Sequence, residues 1–351
     1  MRIACVNQDP GVAPGRKKGA AVHLAAMRRA FSALGCSVHA VDGVGAQLEA
    51  VLDELHARYT LDLVYERQSL AGTAASRFCR RTGVPLFLEV NAPLIEEARA
   101  HRGFAPTAQD LLDEDFVLAS ASELFPVSTP VAEDLARRGV PRAKLHVTPN
   151  GVDLDTFRPR SQPPAGLALP RDAFVLGFHG RLRPWHNFAL LVEAFALLCA
   201  RGYPVELVCV GEGDFEQAVP SALRSRVHVR RWMEQDELAQ HVACFHALPL
   251  SYAADATCYF SPLKLLEAMA CGVVPVVPDL GDLPRAVAHG RAGVVVAPGD
   301  ARALADALAG LIEWPETRER LGRAALSQAR QRGWSDVARE VLAHRVGVRV
   351  P

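Results

Sequence analysis

The sequence predicts two α/β domains, each built on a doubly wound parallel β-sheet with helices on both faces. Short apolar runs rich in β-branched residues alternate with helix-like segments along most of the chain, which is typical of parallel sheets. The alternation stops once, in a segment dense in proline and glycine at 155–172, which indicates an interdomain linker. A chain of 351 residues is long enough for two domains with separate cores.

The first unit of the chain reads as a strand (RIACVNQ), a glycine-containing loop and a helix (AAVHLAAMRRAFSALG). The loop lacks the Gly-Lys-Ser/Thr end of a Walker A motif and the spacing of a G-x-G-x-x-G dinucleotide fingerprint. It still follows the carboxyl end of a strand, where open α/β sheets bind ligands. His23, just inside the helix, is a candidate for that crevice, with an ordinary surface histidine as the alternative.

Five more apolar runs predict further strands of this domain: SVHAVDG, LDLVYER, PLFLEVN, LFPVSTP and KLHVTPNG. Polar residues follow several of these runs, at 66–67, 89–91 and 148–150. Because the carboxyl ends of parallel strands meet at one edge of a sheet, these residues indicate a ligand crevice there. A local hydrogen bond within a loop is the alternative explanation for each of them.

A second series of strands and helices follows the linker. The predicted strands are FVLGFHG, VELVCVGEG, RVHVRRW, CFHALPL, VVPVVP and AGVVVAP. The predicted helices are FALLVEAFALLCARG, DARALADALAGLIEW, ETRERLGRAALSQARQRGW and SDVAREVLAHRV. The two series share a pattern without an evident repeat of sequence.

Within this second series, the segment at 252–278 reads as loop, helix, tight turn and buried strand. Ser261 is predicted to cap the helix, with Pro262 at the first helical position and Gly272 in the left-handed conformation after its end. Lys264 and Glu267, three residues apart, share one face of that helix. A loop followed by a helix start can bind an anion. The alternative is an ordinary capped helix with a solvated Lys/Glu pair.

Bulk composition narrows the functional classes. Lys plus Arg and Asp plus Glu are both 39, so the sequence lacks the basic excess of a general nucleic-acid binder. The eight cysteines form no C-x-x-C pair, which favours free thiols in a reducing cytosol over a disulfide framework or zinc site. No apolar run approaches the roughly 20 residues of a membrane-spanning helix, and Met1 leads directly into a strand-like run. We therefore expect a cytoplasmic protein. Residues 15–19 and the arginine pairs at 28–29, 80–81 and 137–138 leave peripheral contact with an anionic inner membrane face open.

Six segments, taken together and in order, resemble the retaining, metal-independent glycosyltransferases of the GT-B fold in their family 4 group. They are DPGVAPGRKKGAAVH, TPNGVDLDTF, GFHGRLRPWHN, VCVGEG, SPLKLLEAMACGVVPVV and GRAGVVVAPGDARALADAL, and they span almost the whole chain. The resemblance implies two Rossmann-like domains facing a central cleft. Residues 1–160 would bind the acceptor, 161–172 would be the linker, 173–333 would bind the nucleotide-sugar donor, and the helix in 334–351 would return to the first domain.

The resemblance also implies site residues by matched position. Arg181, Lys264 and Asn91 would act in the transfer, with the two cations stabilising the departing pyrophosphate and Asn91 positioning the reactants. The donor would be bound by Gly19, Arg181, His186, Gly211, Ser261, Pro262, Leu263, Lys264 and Glu267. The acceptor would be bound by His23, Arg67, Asn91 and Glu97. No metal or cofactor is expected, since the nucleotide-sugar is a substrate.

Two positions depart from the common family pattern. Many relatives carry two glutamates separated by seven residues, and here Glu267 matches the second while Tyr259 occupies the first. His186 occupies the position of a phosphate-binding lysine, so we expect its contribution to fall above about pH 6.5 as the ring loses its proton. FSPLK and RPWH together indicate a variant subgroup, in which Lys264 supplies the second positive charge.

The predicted function is transfer of a sugar from a nucleotide-sugar to a glycan, lipid or small-molecule acceptor, with no nucleic-acid partner. Three alternatives remain open at this point. A GT-B nucleotide-sugar epimerase would need a pair of catalytic carboxylates, which the sequence does not suggest. A catalytically silent GT-B scaffold is favoured only by Tyr259. An NAD-dependent oxidoreductase is disfavoured, because GEGDFE lacks the third glycine of the fingerprint.

Overall fold

The computed structural model describes residues 1–12, 19–160 and 164–345, and the chain folds into two compact units. The N-terminal unit contains Met1–Gly151, the short segment Tyr259–Ser261 and the chain from Trp334 onward. The C-terminal unit contains Val152–Cys258 and Pro262–Gly333. The first boundary thus falls between Gly151 and Val152, ahead of the predicted linker, of which residues 161–163 lie outside the described part.

The N-terminal unit is a five-stranded parallel sheet flanked by helices. Its strands are β1 (Arg2–Asn7), β2 (Ser37–Asp42), β3 (Leu63–Arg67), β4 (Leu86–Val90) and β5 (Glu123–Pro126), in the order β2-β1-β3-β4-β5. Its helices are α1 (Gly19–Ala33), α2 (Gly45–Tyr59), α3 (Ala74–Thr82), α4 (Leu94–Arg102), α5 (Ala108–Ser120) and α6 (Thr129–Arg137), together with α14 (Trp334–Ala343). The order reverses between β1 and β3, so the loops after these two strands flank the expected ligand crevice.

The C-terminal unit is a six-stranded parallel sheet. Its strands are β6 (Phe174–His179), β7 (Val205–Val210), β8 (Val227–Arg230), β9 (Ala247–Pro249), β10 (Val274–Pro278) and β11 (Val294–Val296), in the order β11-β10-β9-β6-β7-β8. Its helices are α7 (Phe188–Ala200), α8 (Phe215–Ala218), α9 (Gln235–Val242), α10 (Leu263–Ala270), α11 (Leu283–Ala286), α12 (Ala301–Glu313) and α13 (Pro315–Ala329). Here the reversal lies between β6 and β9, which is the dinucleotide-fold strand order.

Burial explains why these segments adopt their structure. Every residue of β4 and of β7 is buried, as expected of central strands covered by helices on both faces. In α1 the buried residues Leu24, Met27 and Phe31 recur at helical spacing and face the sheet. The prediction of two parallel-sheet α/β domains is therefore confirmed.

One predicted strand is absent from the described residues. A 3-10 turn at Arg142–Lys144 leads into KLHVTPNG, which forms a single bridge between Leu145 and Leu124 of β5. His146 and Thr148 donate backbone hydrogen bonds to the edge of β5, at 2.9 and 2.8 Å. Pro149 then interrupts the run, because a proline nitrogen has no hydrogen to donate to a ladder.

At least one arginine of each pair forms an ion pair with a carboxylate. Arg28 contacts Asp42 at 3.1 Å, Arg81 contacts Asp53 at 2.8 Å and Arg138 contacts Glu114 at 2.7 Å. All eight cysteines are free. Among the described residues, no helix is long and apolar enough to cross a membrane. Of the glycine- and lysine-containing loop at 15–19, only residue 19 lies within the described part.

Candidate active site

Two glycines shape the edge of the C-terminal sheet where β6 and β7 end. Gly180 has φ +105° and Gly211 has φ +138°, which are backbone conformations that residues with a Cβ atom rarely adopt. A Cβ atom on Gly211 would lie 2.2 Å from the carbonyl oxygen of Gly180, so the two backbones are in close contact. Gly180 itself donates to the carbonyl of Val210 at 2.8 Å. The close approach of the loops after β6 and β7 therefore requires a glycine at position 211.

Arg181 follows this turn and forms an ion pair with Glu212, which follows Gly211. Both side chains are 49% exposed, so the pair lies in solvent and holds its partners weakly. A planar guanidinium in this position can bind a phosphate through two parallel hydrogen bonds. Glu212 is a site residue that sequence reasoning missed, although the GEG segment that contains it follows a predicted strand.

Lys264, in the first turn of α10, reaches back to β6. Its ammonium nitrogen lies 4.4 Å from the ring centroid of Phe178 and 3.3 Å from Nε2 of His186. A Cβ atom on Gly180 would lie 3.8 Å from the same nitrogen. Burial lowers the pKa of Lys264 to about 8, with the nearby Glu267 carboxylate opposing the shift. The alternative interpretation, a solvated Lys/Glu pair, is therefore wrong, since both groups face the sheet edge.

Glu267, one helical turn further on, is 8% exposed. Burial raises its pKa to about 7, and Lys264 acts in the opposite direction. Nδ1 of His179, the last residue of β6, lies 3.6 Å from Oε2 of Glu267. Burial lowers the pKa of His179 to about 3, so this ring is neutral beside the carboxylate. A carboxyl group in this position can accept hydrogen bonds from two hydroxyls.

His186 differs from what the sequence predicted. Burial, followed by the charges of Lys264 and Arg183, lowers its pKa to about 3. The expected loss of a positive charge near pH 6.5 is therefore wrong, because the ring is neutral well below that pH. Ser251, which follows β9, donates to the carbonyl oxygen of His186 at 2.9 Å. This bond joins the loops after β6 and β9 at the reversal of strand order.

The start of α10 also departs from the prediction. The helix begins at Leu263, its N-cap is Pro262, and no side chain caps it. The hydroxyl of Ser261 instead accepts from the backbone nitrogen of Asn150 at 3.0 Å, and the Asn150 side chain donates to the Ser261 carbonyl at 2.6 Å. The Ser261 hydroxyl is therefore engaged with Asn150 and does not cap α10. Gly272 does adopt the predicted left-handed conformation after the helix, with φ +77°.

Tyr259 packs against the core of the N-terminal unit, and its backbone carbonyl accepts from the Ser128 hydroxyl. Its phenol donates to Oε2 of Glu97 at 3.1 Å. Glu97, predicted to bind the acceptor, here anchors Tyr259. The replacement of the usual glutamate therefore gives a residue with a packing and hydrogen-bonding role.

Three of the predicted acceptor residues meet at the carboxyl ends of β3 and β4. Nε of Arg67 donates to Oδ1 of Asn91 at 3.1 Å, and Nδ2 of Asn91 donates to Glu89. Nε2 of His23 lies 3.2 Å from Oε2 of Glu89, which also accepts from the Tyr65 phenol. The sequence marks Glu89 only as a residue at a strand end, and it does not single out Tyr65.

His23 is 3% exposed, so its interpretation as a surface histidine is wrong. Its ring stands edge-on to Trp334, the first residue of α14, with centroids 4.8 Å apart. Burial lowers its pKa, while Glu89 raises it and Arg67 lowers it further. Gly19, predicted to bind the donor, is the first residue of α1.

Comparison with known proteins decides the family. A model described as "Glycosyl transferase 4-like domain" matches residues 1–151, and one described as "Glycosyl transferases group 1" matches residues 173–313. D-inositol 3-phosphate glycosyltransferase 1 of Catenulispora acidiphila is 32% identical over 308 residues, covering 82% of this chain and 73% of that protein. The chain belongs to the family 4 glycosyltransferases.

Solved structures agree with the GT-B fold of this glycosyltransferase. Sucrose-phosphate synthase from Thermosynechococcus elongatus aligns with a TM-score of 0.75 and 19% identity, covering 96% of both chains. Anabaena HepE in complex with UDP and glucose aligns with a TM-score of 0.71 and 19% identity, covering 98% of both chains. These relatives favour neither the epimerase nor the silent scaffold considered from the sequence.

Proposed function

We propose that this family 4 glycosyltransferase moves a sugar, with retention of configuration and without a metal ion, from a nucleoside diphosphate sugar bound by its C-terminal unit. The observation that carries the proposal is the position of Lys264 and Glu267. One helical turn presents a cation and a carboxyl group where the loops after β6 and β9 meet. Ligands of such sheets bind at that reversal.

The charges suit a diphosphate leaving group. Lys264, which lies beside Gly180, and Arg181, which follows Gly180 in the chain, provide two cations. As the glycosidic bond breaks, negative charge gathers on the diphosphate, and preorganised cations lower the barrier to that separation. One such group lowers the activation free energy by about 3 kcal/mol. The two protein cations thus replace the charge that a divalent ion supplies in other transferases.

Glu267 is proposed to accept the ribose hydroxyls, and the anionic diphosphate would then turn Lys264 away from His186. Arg67 and Asn91 of the N-terminal unit are proposed to bind the acceptor, together with His23. The acceptor is a glycan, lipid or small molecule, and the names of the relatives make a phosphorylated cyclitol one sensible candidate. UDP is the first nucleotide to test, because HepE was solved with it.

Calorimetric titration with UDP, GDP and ADP in the presence of EDTA tests the donor site. We expect one nucleotide to bind to the wild type, and Glu267→Ala to lose most of that affinity. Glu319→Ala is the control, because Glu319 is 66% exposed on α13 and its ion pair with Arg323, at 3.5 Å, lies in solvent. Absence of binding by all three nucleotides, with EDTA or with Mg²⁺, would contradict the proposal. Proton NMR of the first product then tests retention through its anomeric coupling.

A further inference from the structure

One buried carboxyl group collects three side-chain donors in the N-terminal unit. Glu89 is 4% exposed at the end of β4. It accepts from the Tyr65 phenol and from Nδ2 of Asn91, and Nε2 of His23 lies 3.2 Å from its Oε2. A carboxylate accepts such bonds through both oxygens without rearrangement, whereas an amide offers only one accepting atom.

This arrangement determines how Asn91 is oriented. Its Nδ2 faces Glu89, and its Oδ1 accepts from Nε of Arg67 at 3.1 Å. Arg67 and Glu89 are also directly paired across β3 and β4. Rotating the Asn91 amide by half a turn would point oxygen at carboxylate and NH₂ at guanidinium, so only one orientation is favourable. Glu89 therefore orients Asn91 and, through it, Arg67.

Glu89 likewise determines where the proton of His23 resides. A neutral imidazole beside a carboxylate donates from the nitrogen that faces it, which here is Nε2. Nδ1 then carries a lone pair, and it has no hydrogen-bond partner among the described residues although it is buried. The ring thus presents a hydrogen-bond acceptor whose orientation depends on Glu89.

We propose that Glu89 is a positioning residue for sugar transfer, which fixes Asn91, Arg67 and the tautomer of His23 for the acceptor. The inference rests on the proposed function only in taking the acceptor to bind at these three residues. Glu89 itself is not expected to bind a reactant, because its two oxygens are already engaged by Tyr65, Asn91 and His23. Its effect is therefore expected in the rate of transfer and not in the affinity for nucleotide.

The variant Glu89→Gln tests this directly, because glutamine has nearly the same shape. If its NH₂ faces His23, the ring must move its proton to Nδ1 to offer an acceptor. If the NH₂ faces Asn91, that amide must rotate and oppose the N–H of Arg67. Either arrangement breaks one of the orientations that the carboxylate maintains.

The double variant Glu89→Gln/Asn91→Asp should restore the network. The amide and the carboxylate then exchange places, so the new amide at position 89 donates to the new carboxylate at position 91, while the amide oxygen faces Tyr65 and His23. The carboxylate at position 91 can still accept from Arg67. Two unrelated losses would instead add in the double variant, so recovery of the rate measures the coupling between positions 89 and 91.

The measurements are nucleotide binding, turnover and histidine ¹⁵N NMR on the full chain, with the His23 signal assigned from a His23→Gln variant. Turnover is the release of nucleoside diphosphate, as the sugar passes to inositol 3-phosphate or to water, from whichever of UDP-glucose, GDP-mannose and ADP-glucose the wild type uses. We expect Glu89→Gln to lower kcat about 10- to 100-fold, the range for small losses of orientation, with unchanged nucleotide affinity. NMR should place the His23 proton on Nε2 in the wild type, and the double variant should regain at least about tenfold of the lost rate.

Glu206→Gln is the matched control, because Glu206 is also buried, at 7% exposed, and its Oε2 lies 2.7 Å from Nε2 of His228, but it lies near the start of β7 in the C-terminal unit. It should leave kcat unchanged. Unchanged kcat in Glu89→Gln, a double variant no better than the single one, or wild-type His23 protonated on Nδ1 would each overturn the inference. Failure of the wild type to bind any nucleotide would instead contradict the proposed function, and the NMR result would still decide the role of Glu89 in orienting His23.

Discussion

The side-chain nitrogen of Lys264 lies 3.3 Å from Nε2 of His186, whose Nδ1 accepts from the backbone nitrogen of Arg183 at 3.2 Å. In a neutral ring that accepts at Nδ1, the proton resides on Nε2 and points at Lys264. Lys264 can accept it only as a neutral amine. Because the pKa of Lys264 is about 8, a fraction of its side chain is the neutral amine near neutral pH. An arriving diphosphate would favour the charged ammonium form of Lys264.

Nucleotide binding is therefore expected to depend on pH in both directions. Affinity should rise with pH through about 7, as Glu267 loses its proton and can accept the ribose hydroxyls. It should fall above about 8, as Lys264 loses the charge that attracts the diphosphate. Calorimetric titration of the protein with the nucleotide, from about pH 5.5 to about 9.5, measures this profile. The rise and the fall occur at these pH values because burial shifts the two pKa values.

Three variants separate these contributions from ionisation of the ligand, which is the same for all of them. Lys264→Met should remove the alkaline fall, and Glu267→Gln should remove the acidic rise. His186→Gln should leave the profile in place, because burial keeps that ring neutral with a pKa of about 3. An alkaline fall that survives Lys264→Met would contradict the assignment.

The ion pair between Arg181 and Glu212 predicts opposite effects at its two ends. Glu212→Gln should tighten diphosphate binding by up to about fivefold, since an exposed ion pair holds its partners by about 1 kcal/mol at most. Arg181→Gln should weaken binding about tenfold or more, because a charged hydrogen bond to phosphate is lost. Titrating both variants with the same nucleotide at low salt tests the pair, and equal weakening by both would show that Glu212 supports the site.

The contact between Gly211 and Gly180 predicts a large effect on stability. Gly211→Ala would place a methyl group 2.2 Å from a backbone oxygen at φ +138°, so we expect a loss of about 3 kcal/mol or more in free energy of unfolding. Gly310→Ala is the control, because Gly310 lies inside α12 with nothing within 4 Å of an added Cβ. That change should stabilise the protein by about 0.5–1 kcal/mol. Urea denaturation of both variants tests the contrast, and similar stability of the two would refute it.

Glu66 predicts a pH dependence of stability. Burial raises its pKa from 4.5 to about 8, so between these values the unfolded chain releases a proton that the folded chain retains. Its contribution is fully present below about pH 4.5 and declines until about pH 8. Glu66→Gln should therefore raise the free energy of unfolding at pH 8, by roughly 1–3 kcal/mol, with little change at pH 4. Equal effects at both pH values would refute the assignment.

Much of the fold could be predicted because it depends on local pattern. The alternating apolar runs predicted the ten strands from β2 to β11. A single Pro/Gly-rich segment indicated two domains. KLHVTPNG has the apolar content of a strand, but Pro149 ends its pairing after two backbone bonds to β5. The helical spacing of apolar residues predicts that one side of α10 is buried. The spacing of Lys264 and Glu267 likewise predicts that they share a face.

The roles of individual side chains could not be predicted in the same way. Ser261 has the right type and position for an N-cap, yet its hydroxyl is bound to Asn150, which is far away in the sequence. His186 looks like a titrating histidine, and burial beside Lys264 keeps it neutral. Periodicity is a property of neighbouring residues, so the sequence alone determines most of the segments that form strands and helices. Hydrogen bonding and desolvation depend on groups brought together from distant segments, and only the tertiary structure decides that Glu89 joins His23, Tyr65 and Asn91.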